Sequence, residues 1–237
     1  MDLPGPWASP YSKPATDRPD CRPERSATLT TQGAILVADD HPLFRQALVM
    51  AVESVAPHAR IIEAATLDRA VQAAGATSDL LLILLDLKMP GSAGFSGVAL
   101  LHAERPSVPI LVISSAEAQV ASPEARRYGA VGFIGKDQPL SVMEEAIAAA
   151  LDGNSPAPLP AGETDDMADK VAALTPTQLR VLLGVLDGRL NKQIAFDLGV
   201  AESTIKSHMT TILAKLGVQN RTQAALAARA LGLGADR

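Results

Sequence analysis

The sequence is poor in cysteine and has no long apolar run, and each absence excludes a class of protein. Cys21 is the only cysteine among 237 residues, so an internal disulfide is impossible and a thiolate metal cage is implausible. The longest aliphatic run, Leu80 to Leu85, is far shorter than the roughly 20 residues that a membrane-spanning helix needs. We therefore expect a chain without transmembrane helices, not associated with a membrane, that works in a reducing cytoplasm.

Aromatic residues and an apolar N-terminal segment are also lacking. Aromatics make up 3% of the chain, so we expect cores built from Ala, Leu, Val and Ile. Residues 1–33 contain six prolines among polar residues and show no apolar period, which does not fit a signal peptide. Such a segment buries too little apolar surface to offset its ordering entropy, so we predict a disordered tail. The alternative is a natural start further downstream.

The charge is distributed unevenly along the chain. The net charge is -5, which by itself argues weakly against binding to nucleic acid. Residues 170–237, however, hold nine Lys and Arg against four Asp and Glu, whereas residues 1–169 hold twelve against twenty-two. Only the C-terminal part is therefore suited to binding phosphate groups.

Short apolar strands alternate with amphipathic helical stretches from Ala34 onward. The strand candidates are Ala34–Ala38, Arg60–Ala64, Leu80–Leu85, Ile110–Ser114 and Val131–Ile134. The helical stretches lie near residues 42–55, 67–75, 95–104, 117–128 and 139–151, and Pro123 falls within the fourth of them. This alternation predicts an α/β domain over residues 34–151, with a five-stranded, doubly wound parallel sheet.

A second domain without strands follows. Residues 152–173 begin with a segment rich in Pro and Gly and continue with acidic residues, which predicts a linker. Four helical stretches come next, near residues 175–187, 191–198, 202–216 and 221–231. We therefore predict an all-α four-helix domain over residues 174–237.

Polar side chains end three of the predicted strands and follow another. They are Asp39 and Asp40 after the first strand, Asp86 after the third, Ser114 and Ser115 at the fourth, and Lys136 beyond the fifth. Ligands of parallel sheets bind outside the carboxyl ends of the strands, where these residues should meet. Converging carboxylates repel one another unless a cation joins them, and their oxygen atoms suit Mg²⁺. A carboxylate beside Mg²⁺ and a lysine can act as a nucleophile on a phosphoryl group.

Residues 34–151 resemble the receiver domain of two-component systems, because ILVADDHPLFRQAL, LLILLDLKMPG, PILVISSA and GAVGFIGKD occur in the family's order. The resemblance implies that Asp86 is the phosphoacceptor. It implies that Mg²⁺ is bound by Asp39, Asp40, Asp86 and the backbone carbonyl of Lys88. It also implies that Ser114 and Lys136 bind the phosphoryl group and that Ser114 and Phe133 act as the switch.

Each of these residues has a plainer interpretation when it is taken alone. Asp86 would be a helix cap or turn residue, and Ser114 a core hydroxyl with a partner. Lys136 would be a solvated charge, and Phe133 a core aromatic. Their occurrence as one ordered set favours the receiver interpretation.

The stretch near residues 202–216 has one apolar stripe and one small, polar face. The stripe consists of Ile205, Met209, Ile212, Leu213 and Leu216. Residues 174–228 resemble the helix-turn-helix domain of the NarL/FixJ group, also called LuxR-type, with Gly199 in the turn. The resemblance implies DNA contacts by Lys192, Ser203, Thr204, Lys206, Ser207, His208, Thr210, Thr211 and Lys215. Two departures weaken it: Ala201 cannot cap the helix, and Thr210 stands where a basic residue is common.

Together the two resemblances imply a response regulator that acts as a transcription factor. A sensor histidine kinase would phosphorylate it, and Mg²⁺ would be its cofactor. It would bind double-stranded promoter DNA as a homodimer, with residues 222–231 as the contact between the two copies. No second nucleophile and base or cofactor loop is evident, so we expect no turnover of an external substrate. The alternatives are a regulator that works without phosphorylation and a signalling adaptor whose C-terminal helices serve assembly.

Overall fold

The computed structural model describes residues 32–115, 125–153 and 166–234. Outside these ranges lie most of the predicted tail, Pro123 with most of the stretch near residues 117–128, and the proline-rich part of the linker. The described residues form an N-terminal α/β domain and a C-terminal helical domain.

The α/β domain is built on a five-stranded parallel sheet. Its strands are β1 (Ala34–Ala38), β2 (Arg60–Ala64), β3 (Leu80–Leu85), β4 (Ile110–Ser114) and β5 (Ala130–Gly135), in the order β2-β1-β3-β4-β5. Ala38 pairs with Leu85, and Ser114 pairs with Gly135. Because β1 and β3 are neighbours at matching register, the residues that follow them emerge side by side at one edge of the sheet. The strand predictions are confirmed, with β5 one residue longer at each end.

Alternation of side chains along β1 divides the core into two layers. Ile35 and Val37 pack in one apolar cluster with Ile147 of a covering helix, whereas Leu36 and Ala38 pack in the other. The covering helices are α1 (Pro42–Val55), α2 (Leu67–Ala76), α3 (Ser96–Glu104) and α4 (Leu140–Leu151). Every residue of β1 is buried, as expected for a central strand covered on both faces.

The C-terminal domain contains five helices within the described residues. They are α5 (Asp166–Ala172), α6 (Pro176–Leu186), α7 (Asn191–Asp197), α8 (Glu202–Leu216) and α9 (Arg221–Ala230). The side chain of Thr175 accepts a hydrogen bond from the amide of Gln178 and thereby caps α6. Helix α5 falls inside the segment predicted as a linker, and its Ala168 and Val171 are buried. Among the described residues, no helix is both long and apolar enough to span a bilayer.

The two domains contact each other through the residues that follow α9. The amide nitrogen of Phe95 donates a hydrogen bond to the carbonyl of Gly232 at 3.1 Å. The ring of Phe95 also stacks against Tyr128, with centroids 6.1 Å apart. Leu233 is 1% exposed within the apolar cluster that includes residues of both domains. The contact is therefore partly apolar and partly made by backbone groups.

Candidate functional site: an acidic cluster on the sheet and a polar helix face

Carboxylates meet where β1 and β3 end. Asp39 is fully buried, Asp86 is 2% exposed, and Asp40 is half-buried. Four potential ligand atoms, one each from Asp39, Asp40, His41 and Asp86, all lie within 4.8 Å of one another. The convergence expected from the strand ends is present, and it also includes the side chain of His41, which the strand-end argument does not predict. No spacing rule singles out His41, because its place depends on the turn into α1.

Lys136 lies between the two buried carboxylates. Its Nζ is 2.6 Å from Asp39 Oδ2 and 2.8 Å from Asp86 Oδ2. Burial lowers the pKa of Lys136, whereas the hydrogen bonds to Asp39 and Asp86 and the negative charges of these residues raise it. Together the raising effects are larger, so the pKa lies above its ordinary value. The Nζ also lies 4.7 Å from the centre of the Phe44 ring, a cation–π distance. The lysine is therefore a fixed positive charge inside the cluster.

Backbone amides orient the same two carboxylates. The amide of His41 donates to Asp39 Oδ1 at 2.7 Å, and the amide of Lys88 donates to Asp86 Oδ1 at 3.1 Å. Each carboxylate thus has one oxygen bound by the backbone and the other facing Lys136. The Lys88 side chain is exposed, so this residue reaches the cluster through its backbone.

The donor set fits a hard divalent cation. Two of the three carboxylates contact the single Lys136 ammonium, and the third, Asp40, lies 2.8 Å from His41 Nδ1, so the cluster keeps an excess of negative charge. Asp39 Oδ2 is fully buried and has the Lys136 ammonium as its close neighbour. Carboxylate and carbonyl oxygens are the ligands that Mg²⁺ prefers. A cation of this kind would relieve the repulsion that one lysine leaves in place.

Ser114 ends β4 close to this edge of the sheet. It is fully buried, and its hydroxyl has no hydrogen-bond partner among the described residues. Its backbone carbonyl accepts a hydrogen bond from the amide of Lys136 at 3.0 Å, which ties it to the loop after β5. A buried hydroxyl without a partner costs about 1–3 kcal/mol, so it favours an arrangement that supplies an acceptor. Phe133, in β5 beside Val112, is half-buried against the apolar cluster.

In the C-terminal domain, α8 presents the polar face expected from the sequence. Four residues of the apolar stripe are buried and Leu213 is half-buried. The exposed residues predicted to contact DNA are Lys192, Ser203, Thr204, Lys206, Ser207, Thr210 and Thr211, while His208 is half-buried. The turn before α8 contains Gly199 at φ 65°, a left-handed conformation that favours glycine. Ala201 precedes α8 and makes no side-chain cap.

Lys215, also predicted to contact DNA, is half-buried and makes hydrogen bonds within the domain. Its Nζ donates to the carbonyl of Ala173 and to Gln178 Oε1, both at 2.9 Å. The contact joins the end of α8 to the junction between α5 and α6. Helical periodicity placed Lys215 on a flank of α8, but it gave no information about which residues pack against that flank.

The comparisons with known proteins agree with the division of the chain into an α/β domain and a helical domain. Residues 35–148 match the family described as response regulator receiver domain, and residues 172–228 match bacterial regulatory proteins, luxR family. The chain is 41% identical over 207 residues to the glycerol metabolism activator of Pseudomonas putida. The matched region covers 82% of this chain and 94% of that protein.

Two further relatives extend over the same two domains. The nitrate/nitrite response regulator protein NarL of Escherichia coli is 32% identical over 203 residues, covering 81% of this chain and 93% of NarL. The DNA-binding transcriptional activator DevR/DosR of Mycobacterium tuberculosis is 32% identical over 209 residues, covering 83% of this chain and 94% of that protein. All three similarities therefore span both domains.

Proposed function

The chain belongs to the NarL/FixJ family of two-component response regulators, and from that premise we propose that phosphorylation of Asp86 by a sensor histidine kinase controls its binding to promoter DNA. It is a DNA-binding response regulator with a receiver domain and a LuxR-type helix-turn-helix domain. The observation that carries the proposal is the buried pair of Asp39 and Asp86 around Lys136, at the carboxyl edge of the receiver sheet.

Asp86 is the proposed nucleophile. One of its carboxylate oxygens forms a bond to the phosphorus of a phosphohistidine, the phosphorus–nitrogen bond breaks, and the imidazole of the kinase leaves with the electron pair. Asp39, Asp40, Asp86 and the carbonyl of Lys88 would hold Mg²⁺, which neutralises charge on the phosphoryl oxygens when it is bound. Lys136 exchanges its contact with Asp86 for a contact with the phosphoryl group.

Ser114 and Phe133 are the proposed switch. The phosphoryl group supplies the acceptor that the Ser114 hydroxyl lacks among the described residues, so we expect the serine to donate a hydrogen bond to it. The half-buried ring of Phe133 lies on the neighbouring strand and would repack as the serine moves. Coupling of this type is typically about 1–3 kcal/mol, which changes DNA affinity by several-fold to about a hundred-fold.

The output is binding to double-stranded DNA by two copies of the chain. The exposed small and basic residues of α8 would enter the major groove, and Lys192 would contact a phosphate. Helix α9, rich in Ala, is the proposed dimer contact, and its one leucine, Leu226, is 61% exposed. A two-fold dimer requires paired half-sites about one helical turn apart or a multiple of that distance.

The test compares DNA binding by the wild type and by Asp86→Asn. Duplexes selected from random sequence would be titrated with and without Mg²⁺ and acetyl phosphate, at two salt concentrations because phosphate contacts depend on salt. We expect only the phosphorylated wild type to gain affinity. Equal binding by both proteins under all conditions would show that Asp86 is not the control point. Absence of any binding would favour the adaptor.

A further inference from the structure

Arg45, near the start of α1, links the loop after β1 to the neighbouring strand β2. Its Nη1 donates to the backbone carbonyl of Asp39 at 2.7 Å, and its Nε lies 2.8 Å from Glu63 Oε2. The Arg45 side chain is 17% exposed, whereas that of Glu63 is 42% exposed. The guanidinium is therefore largely buried beside the acidic cluster, and it holds a backbone oxygen of the cluster without binding any of its carboxylates.

The carbonyl of Asp39 belongs to the peptide that joins Asp39 to Asp40. The amide of Asp39 is bound to the carbonyl of Ala64 at 3.0 Å, so β2 fixes one side of Asp39 and Arg45 fixes the other. The peptide is planar, so a bond that holds its carbonyl oxygen restrains the backbone dihedrals on both sides of it, ψ of Asp39 and φ of Asp40. The hydrogen bond from Arg45 is therefore one restraint on the backbone that carries two proposed ligands, beside the contacts that their carboxylates make with His41 and Lys136.

We propose that Arg45 is a positioning residue that sets Asp39 and Asp40 for a divalent cation, with Glu63 anchoring it. The inference rests on the proposed function of the acidic cluster. Glu63 has two roles: it fixes the guanidinium on β2, and it balances a positive charge that would otherwise oppose the cation. Partners of this kind, which orient metal ligands without touching the metal, commonly change metal affinity by about 10–100-fold when they are lost.

The sign of the effect separates positioning from simple electrostatics. If Arg45 acted only through its charge, its removal would make the cluster more negative and would tighten the binding of Mg²⁺. If it positions the peptide, its removal weakens the binding although the site gains negative charge. Arg45→Lys keeps the charge but lacks the fork of donors that bonds Asp39 and Glu63 together, so positioning predicts weakened binding there too.

The experiment is a calorimetric titration of the full chain with MgCl₂ in the absence of a phosphodonor. For Arg45→Gln we expect the dissociation constant to rise by on the order of ten-fold. Arg60→Gln is the matched control, because Arg60 forms an exposed pair with Asp79 at the opposite end of β2. A second readout is phosphorylation by acetyl phosphate: the Mg²⁺ concentration for half-maximal rate should rise, and the rate at saturating Mg²⁺ should recover.

Unchanged or tighter binding of Mg²⁺ by folded Arg45→Gln would overturn the inference, as would a wild type that binds no Mg²⁺. If Arg45→Gln fails to fold, Arg45→Lys carries the same test, because it keeps the charge, and it should bind Mg²⁺ more weakly than the wild type. The calorimetric arm needs no phosphoryl transfer. A wild type that binds Mg²⁺ normally but is not phosphorylated on Asp86 would therefore refute the proposed function and leave the role of Arg45 to be decided by the titration.

Discussion

The phenol of Tyr128 in the receiver donates a hydrogen bond to the backbone carbonyl of Leu231, the residue that follows α9 in the DNA-binding domain. The adjacent contact of Phe95 with Gly232 holds the same segment. Ser203 and Ser207, on the face of α8 proposed to read DNA, remain exposed in this arrangement. The receiver thus holds the end of the proposed dimer helix while the proposed recognition face stays open.

Tyr128→Phe removes this hydrogen bond and keeps the ring that stacks on Phe95. One such bond contributes about 1 kcal/mol, so we expect the unphosphorylated variant to dimerise and bind DNA several-fold more tightly than the wild type. Fluorescence anisotropy with a labelled duplex measures the affinity, and sedimentation measures the dimer. Identical affinity in the variant and the wild type would mean that this contact does not restrain the dimer helix.

The residues that sequence could predict are those whose position follows from a strand end or a helix period. Asp39 and Asp86 follow buried strands, and parallel strands bring their carboxyl ends to one edge whatever the rest of the chain does. The contact of Lys215 with Ala173 and that of Tyr128 with Leu231 follow no such rule. They join residues 42 and 103 positions apart, and they depend on how whole helices pack.

Helix α5 is an element that the sequence pattern does not predict. The Pro- and Gly-rich residues before it favour a linker, and a seven-residue helix gives little periodic signal. What stabilises it is tertiary: Val171 is 1% exposed, in the same apolar cluster as Ile212 of α8. Burial against residues later in the chain overrides the local preference, as is common for short helices.

Lys136→Met should destabilise the receiver when Mg²⁺ is absent. The change leaves Asp39 and Asp86 buried beside each other without their cation, and removal of one member of a buried ion pair costs about 3 kcal/mol. Urea unfolding of the variant measures the loss. Added Mg²⁺ should stabilise the variant more than the wild type, because the metal replaces the missing positive charge and binds only the folded form.

Lys88→Met is the control for this change, because its side chain is exposed and its backbone groups are unaltered. It should unfold within about 0.5 kcal/mol of the wild type. The expectation for Lys136 fails if Mg²⁺ adds no more stability to Lys136→Met than to the wild type.

Ser114→Ala should leave the free energy of unfolding unchanged or raise it by up to about 1 kcal/mol, because it removes a buried hydroxyl that has no partner among the described residues. Ser96→Ala is the matched comparison. Ser96 is also buried, but its Oγ accepts a hydrogen bond from the amide of Ala93 at 2.9 Å, so its loss should cost about 1 kcal/mol. Denaturant unfolding distinguishes the two.

The same two serine substitutions distinguish an effect on folding from an effect on the response to phosphorylation. Phosphorylated Ser114→Ala should lose most of the gain in DNA affinity, whereas phosphorylated Ser96→Ala should keep it. Ser114→Thr retains a hydroxyl and should restore part of the gain. A full response by Ser114→Ala would remove Ser114 from the proposed switch.

Lys192 and Lys215 should respond differently to replacement by glutamine. Lys192 is exposed at the start of α7, so Lys192→Gln should lower the slope of log affinity against log salt by about 0.9, the value for one phosphate contact. Lys215→Gln removes the hydrogen bonds to Ala173 and Gln178, so it should lower the free energy of unfolding by about 1 kcal/mol and leave the salt slope unchanged. Anisotropy titrations at several salt concentrations, with urea unfolding of the same proteins, measure both quantities. If the salt slope falls as much in Lys215→Gln as in Lys192→Gln, Lys215 contacts a DNA phosphate, because only a lysine that displaces counterions from DNA changes this slope.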